Sequence, residues 1–135
     1  MKNIIQARFE EHLEVTNAVM QSDILEQIER IATVVKTALV NGKKVLFCGN
    51  GGSAADSEHI VGELMKNFKK CRKANEELLA NLEACAESEK LKEVLEGNLP
   101  AISLTSHISL TTAYSNDKEP SAVFAQQLAG LGNKG

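Results

Sequence analysis

The stretch Lys44-Val45-Leu46-Phe47-Cys48-Gly49-Asn50-Gly51-Gly52-Ser53-Ala54-Ala55-Asp56 decides the fold. Residues 44–48 form a short apolar run without alternation. That is the pattern of a strand buried on both faces, as in parallel α/β sheets. Three glycines follow within the next four residues, and a helix is expected from about Ser53 to Lys69. A strand that runs through glycines into a helix is the first half of a βαβ unit.

Upstream of this stretch lie two amphipathic patterns. Ile5, Phe9, Leu13, Thr16 and Met20 recur at helical spacing, and Ile24, Ile28, Ile31, Val35 and Leu39 do so again. Ser22 and Asp23 offer a cap for the second helix. Asn41-Gly42 closes it, because both residues tolerate the left-handed conformation of a helix end. One small sheet needs less apolar cover than two such helices provide. Residues 1–41 are therefore expected to form a helical pair whose surplus apolar face meets another subunit.

Downstream, residues 70–97 are polar and rich in Glu, Lys and Ala. Leu78, Leu82 and Cys85, then Leu91, Val94 and Leu95, predict two modest helices, with Gly97 as a stop. Pro100–Leu104 reads as a second strand and Ser106–Tyr114 as a short helix. Pro120 can open a further helix through Leu128, since its missing N–H is not needed in a first turn. Gly130 and Gly132 close that helix. The order is helix, helix, strand, helix, insert, strand, helix. It begins a doubly wound α/β fold within a single, incomplete domain over residues 1–135. Two strands are fewer than such a sheet normally has. An open, apolar strand edge invites pairing, so self-association is expected.

Composition sets few limits. The 135 residues are 43% hydrophobic and 24% charged, with a formal net charge of −3. That is ordinary globular usage. It gives no reason to expect a nucleic-acid or membrane-surface partner. The basic cluster of residues 66–73 reads as the solvated end of a helix. Cys48, Cys71 and Cys85 are odd in number and lack Cys-x-x-Cys spacing, so neither a disulfide framework nor a zinc knuckle is indicated. No secretion signal or membrane-length apolar run is read, and a cytoplasmic location is expected.

The chemistry centres on the glycines. Glycine lets backbone N–H groups approach a ligand without a Cβ in the way. A helix N-terminus adds unpaired donors and the positive end of its dipole. Asn50, Gly51, Gly52 and Ser53 are thus candidate anion-binding residues. The segment is not a P-loop, which needs Gly-x-x-x-x-Gly-Lys-[Ser/Thr]. Gly49-x-Gly51-x-x-Ala54 meets a loose dinucleotide pattern. The acidic residue expected about twenty positions later is replaced by Lys69-Lys70-Cys71-Arg72-Lys73.

On the following helix, Val61, Leu64, Met65 and Phe68 are read as the core stripe. His59 and Glu63, four apart, share a face roughly opposite it. Such a pair can bind a divalent metal or act as acid and base. It is also a common pairing on exposed helix faces.

The run from Gly49 to His59, with Glu63 one turn later, resembles the signature of bacterial phosphoheptose isomerases of the SIS superfamily. The likeness continues at Leu99–Leu104, Ser106–Ser109, Asn116-Asp117 and residues 124–135. Residues 70–98 form a helical insert relative to shorter family members.

The resemblance implies a partial SIS fold: α/β, flavodoxin-like, three-layered with a parallel sheet, and two helices before the first strand. It implies interconversion of sedoheptulose 7-phosphate and D-glycero-D-manno-heptose 7-phosphate through an enediol. Asn50, Gly51, Gly52, Ser53, Asn116 and Asp117 would contact substrate. His59 and Glu63 would bind one zinc ion, Glu63 would also move the proton, and the subunits would form a homotetramer. The family's Ser/Thr-rich phosphate loop, and the Gln and His that complete its metal site, fall beyond Gly135. Negligible isomerase activity is therefore expected of these residues alone, whether fragment, truncated product or proteolytic remnant. The alternative is a non-catalytic SIS module that senses a phosphosugar or docks a partner through the insert.

Overall fold

The computed structural model describes residues 2–133. They divide into two compact units, with the boundary between Val40 and Asn41. The first unit is a helical pair, α1 (Lys2–Met20) and α2 (Ile24–Val40). Between them, Ser22 Oγ accepts a hydrogen bond from the Ile24 amide at 3.2 Å, the cap its side chain was expected to make. Gly42 follows α2 with φ 67°, in the left-handed region that favours glycine. Phe9 and Leu13 of α1 and Ile28 and Ile31 of α2 remain exposed.

The second unit carries the sheet. Strand β1 (Val45–Phe47) lies parallel to β2 (Ala101–Ser103), with Val45 opposite Ala101 and Phe47 opposite Ser103. The Val45 amide donates to the Pro100 carbonyl at 2.9 Å, and the Leu104 amide to the Phe47 carbonyl at 2.8 Å. Burial is uneven. Ala101 and Ser103 of β2 are buried, as is Leu104 beside them, whereas β1 is half-buried throughout. Sequence predicted that β1 would be covered on both faces. All three of its residues are only half-buried, with α3 packed on it, so the cover is incomplete.

Helix α3 (Gly52–Met65) connects the strands and packs on both. It ends four residues before the expected Lys69. Lys66 is already extended, at φ −130° and ψ 173°. Phe68, assigned to the core stripe, therefore lies outside the helix and is exposed, and Met65 is exposed as well. Val61 and Leu64 keep the inward positions expected of them.

The insert holds α4 (Glu76–Asn81) and α5 (Ser88–Val94). Asn75 caps α4 by accepting from the Leu78 amide at 2.7 Å. Cys85 falls in the turn between them, and α5 stops at Val94, ahead of Gly97. After β2 come α6 (Ile108–Asp117), a 3-10 turn (Pro120–Ala122) and α7 (Val123–Leu131). Gly130 lies inside α7 and does not close it. Gly132 does, with its amide donating to the Leu128 carbonyl at 2.7 Å. Lys44 Nζ then reaches the Leu131 carbonyl at 3.0 Å, pinning the end of α7 beside the start of β1.

Candidate functional site

Parallel strands present their carboxyl ends at one edge of the sheet, where α/β folds place ligands. Residues 48–51 leave β1 at that edge and enter α3. Two glycines there have separate reasons. A Cβ on Gly49 would lie 2.6 Å from the carbonyl oxygen of Ser53. Gly51, the N-terminal cap of α3, sits at φ 58° and ψ −124°, where a side chain is strained. The loop is closed by the Ser53 amide donating to the Asn50 carbonyl at 3.2 Å and the Ala54 amide to the Gly51 carbonyl at 3.1 Å. Gly51 has no side chain to cap the helix, and the loop's own carbonyls take the Ser53 and Ala54 amides, so the Gly51 and Gly52 N–H groups are the donors left to an anion. Gly52 has open space at its Cβ position. Ser57, buried inside the first turns, donates to the Ser53 carbonyl at 2.7 Å.

A second cluster faces this loop from the end of β2. Glu58 Oε1 accepts from Thr105 Oγ1 and from Ser106 Oγ, both at 3.2 Å. Thr105 Oγ1 also lies 2.6 Å from the hydroxyl of buried Ser103. The carboxylate thus ties the outgoing turn of β2 to α3. Sequence reading passed over Glu58, because no local spacing rule links it to residues more than forty positions away.

Further along α3, His59 Nε2 stands 4.0 Å from Glu63 Oε1. The two share a face, as their spacing predicted, but the environment differs from the expected solvent-facing pair. The His59 side chain is 78% exposed, and that of Glu63 only 24%. Lys66 Nζ approaches Glu63 Oε1 at 3.4 Å, while Glu63 Oε2 is buried and accepts no hydrogen bond. A buried carboxylate oxygen without a partner is costly unless a proton or cation visits it. An imidazole nitrogen and a carboxylate are donors that zinc takes. The types fit, but the number is short: no group of three or more His, Cys, Asp or Glu side chains gathers among the described residues.

Asn116 and Asp117 stand at the exposed end of α6, and Asn116 Nδ2 donates to Asp117 Oδ1 at 2.9 Å. α6 packs on the 3-10 turn and α7, whereas the glycine loop leads into α3. No hydrogen bond among the described residues joins Asn116 or Asp117 to the loop. Cys48, Cys71 and Cys85 are exposed free thiols. No described helix is long and apolar enough to cross a membrane.

Comparison with known proteins bears on the family and the fold. The chain is 35% identical over 136 aligned residues to the phosphoheptose isomerase of Clostridium acetobutylicum, covering 100% of this chain and 57% of that protein. It is 33% identical to phosphoheptose isomerase 1 of Campylobacter jejuni, covering 99% of this chain and 58% of the relative. The chain thus spans little more than half the length of these relatives. The solved structure of a phosphoheptose isomerase from Neisseria gonorrhoeae superposes with a TM-score of 0.67 at 24% identity, over 98% of this chain and 55% of that one. That likeness shows a shared fold. The SIS domain profile matches residues 8–101, a span that includes β1, the glycine loop and all of α3 and ends at the first residue of β2. The chain belongs to the SIS domain family.

Proposed function

We propose that this chain carries the phosphosugar cradle and the proton-moving carboxylate of an aldose–ketose isomerase. Its substrates would be sedoheptulose 7-phosphate and D-glycero-D-manno-heptose 7-phosphate. The observation that carries the proposal is Glu63, whose buried, unpartnered Oε2 lies on the helix that the glycine loop opens.

Aldose–ketose exchange moves a proton between two adjacent carbons. The Glu63 carboxylate takes that proton from the carbon beside the carbonyl and returns it to the neighbour, with an enediol between the two steps. Asn50, Gly51, Gly52 and Ser53 hold the sugar phosphate so that the reacting carbons stay within reach. Asn116 and Asp117 would complete the sugar contacts. His59 and Glu63 would hold a zinc ion, which when bound polarises the carbonyl. A catalytic zinc usually takes three protein ligands, and this reading supplies two. The 135 residues alone are therefore expected to bind substrate without turning it over. The same shortage supports a second reading, a non-catalytic phosphosugar-binding module. The apolar faces left exposed on α1 and α2 support a homotetramer assembled through residues 1–41, and a cytoplasmic location belongs to the same reading.

The test is titration of sedoheptulose 7-phosphate into isotope-labelled protein, beside a direct isomerase assay. Amide shifts confined to residues 50–53 and their surroundings, without product, are expected. Absence of any response in that loop would sink the phosphosugar reading. Product formation would sink the claim of inactivity and remove the non-catalytic alternative.

A further inference from the structure

The insert of residues 70–98 has no task in the reaction as derived above, yet its neck is built onto the helix that carries Glu63. The Gly97 amide donates to the Arg72 carbonyl at 2.8 Å, and Arg72 Nε donates to the Gly97 carbonyl at 3.0 Å. Glu96 accepts from both the backbone and the side-chain nitrogen of Asn67, each at 2.7 Å. Asn67 Oδ1 in turn accepts the Arg72 amide at 2.6 Å.

This neck seats a guanidinium on the end of α3. Arg72 Nη2 donates to the carbonyls of Leu64 at 2.9 Å and Glu63 at 3.3 Å, and also to that of Lys66. The last carbonyls of a helix have no partner within it, and they form the negative end of its dipole. The guanidinium reaches these carbonyls through Nη2 while its Nε holds the Gly97 carbonyl, a span that the single nitrogen of an ammonium does not cover. The Glu63 carboxylate is itself loosely held, with Lys66 at 3.4 Å and His59 at 4.0 Å. The turn beneath it is held by Arg72 and by the Leu99 amide, which donates to the Leu64 carbonyl at 2.9 Å.

We propose that Arg72 is a positioning residue for Glu63: the insert's neck lays its guanidinium on the Glu63 and Leu64 carbonyls and so fixes the turn that aims the carboxylate. The inference rests on the reading of Glu63 as proton carrier and zinc ligand. It gives the insert a task within that reading, because its returning residues Glu96 and Gly97 clamp Asn67 and Arg72 beside the helix end. Arg72 touches no reacting atom and acts only through Glu63.

The experiment follows two signals in the labelled chain. One is the set of three-bond couplings that report the Glu63 Cα–Cβ rotamer. The other is the response of His59 and Glu63 to added zinc. Arg72→Ala is expected to average the Glu63 couplings and to weaken zinc binding about tenfold or more, as loss of an outer supporting group does. Arg72→Lys, which keeps one cation at the helix end, should recover part of both. Glu96→Ala loosens the neck at Asn67 but keeps the guanidinium, so it should change each signal less. Wild-type Glu63 couplings in folded Arg72→Ala protein would overturn the proposal. So would equal effects of Glu96→Ala and Arg72→Ala, since the neck as a whole would then be responsible. If Arg72→Ala does not fold, fully wild-type couplings in Arg72→Lys overturn it. Failure of the wild type to respond to zinc removes the metal reading, and the rotamer couplings still decide the role of Arg72.

Discussion

Gly49 and Ser53 approach so closely that a Cβ on Gly49 would sit 2.6 Å from the Cβ and the carbonyl oxygen of Ser53. Backbone on one side and a helix start on the other leave no flexible group to yield. Gly49→Ala must therefore push the loop away from α3. We expect it to lower stability by about 2 kcal/mol, in the range for overpacking. It should also abolish the phosphosugar-induced shifts of residues 50–53. Thermal unfolding and the ligand titration measure the two effects separately.

Gly51 and Gly52 separate conformation from access. Gly51 has open space around its Cβ position but a φ of 58°, so Gly51→Ala carries backbone strain of roughly 1–2 kcal/mol. Gly52 has open space and no positive φ. Gly52→Ala should leave stability unchanged or raise it by about 0.4–1 kcal/mol, because alanine restricts the unfolded chain. Its methyl group nevertheless stands over the helix N-terminus. We expect phosphosugar binding to weaken in a protein at least as stable as the parent. Equal losses of stability in the two variants would contradict this assignment.

How much of this was legible in the sequence depends on distance along the chain. The strand–glycine–helix order, the α2 stripe closed by Gly42, and the His59/Glu63 pairing are all local patterns, and each emerged from spacing alone. The end of α3 did not. Lys66 leaves the helix where Asn67 bonds Glu96, twenty-nine residues away, and where Arg72 takes the last carbonyls. Phe68 was read into the core because a helical period carries on past a break that only the tertiary clasp imposes. Glu58 was missed for the same reason, since its hydroxyl partners Thr105 and Ser106 arrive from the second strand. The half-burial of Glu63 was also hidden: its helix face is read from a period, but what covers that face is not.

Glu63 itself offers a division between stability and chemistry. Its Oε2 is buried without a partner, so the carboxylate adds little to folding. Glu63→Gln keeps the shape and removes the charge. Stability should stay within about 1 kcal/mol of the parent, one hydrogen bond's worth. The response of His59 to zinc should disappear, because a neutral amide is a poor ligand for a divalent cation. A calorimetric scan and a zinc titration check the pair of outcomes. A strongly destabilised Glu63→Gln would show that the carboxylate is structural.

Acid stability provides a last check, at the turn between α6 and α7. Glu119 Oε1 accepts from the Ser121 amide at 3.0 Å and from Ser121 Oγ at 2.8 Å. These two bonds favour the charged carboxylate, the backbone bond more than the hydroxyl, and hold Glu119 below the usual carboxylate pKa; slight desolvation opposes them. A group whose folded pKa is depressed contributes stability that is fully present above its unfolded value. That contribution is lost as pH falls through the lowered folded value. Glu119→Gln should therefore leave a smaller acid-induced loss of stability below the ordinary carboxylate range, with little change near neutrality beyond the weaker cap. Side-chain titration of Glu119 by NMR, beside unfolding curves across the acid range, measures both. A Glu119 carboxyl that titrates at its ordinary value would show that Ser121 does not hold the turn in solution.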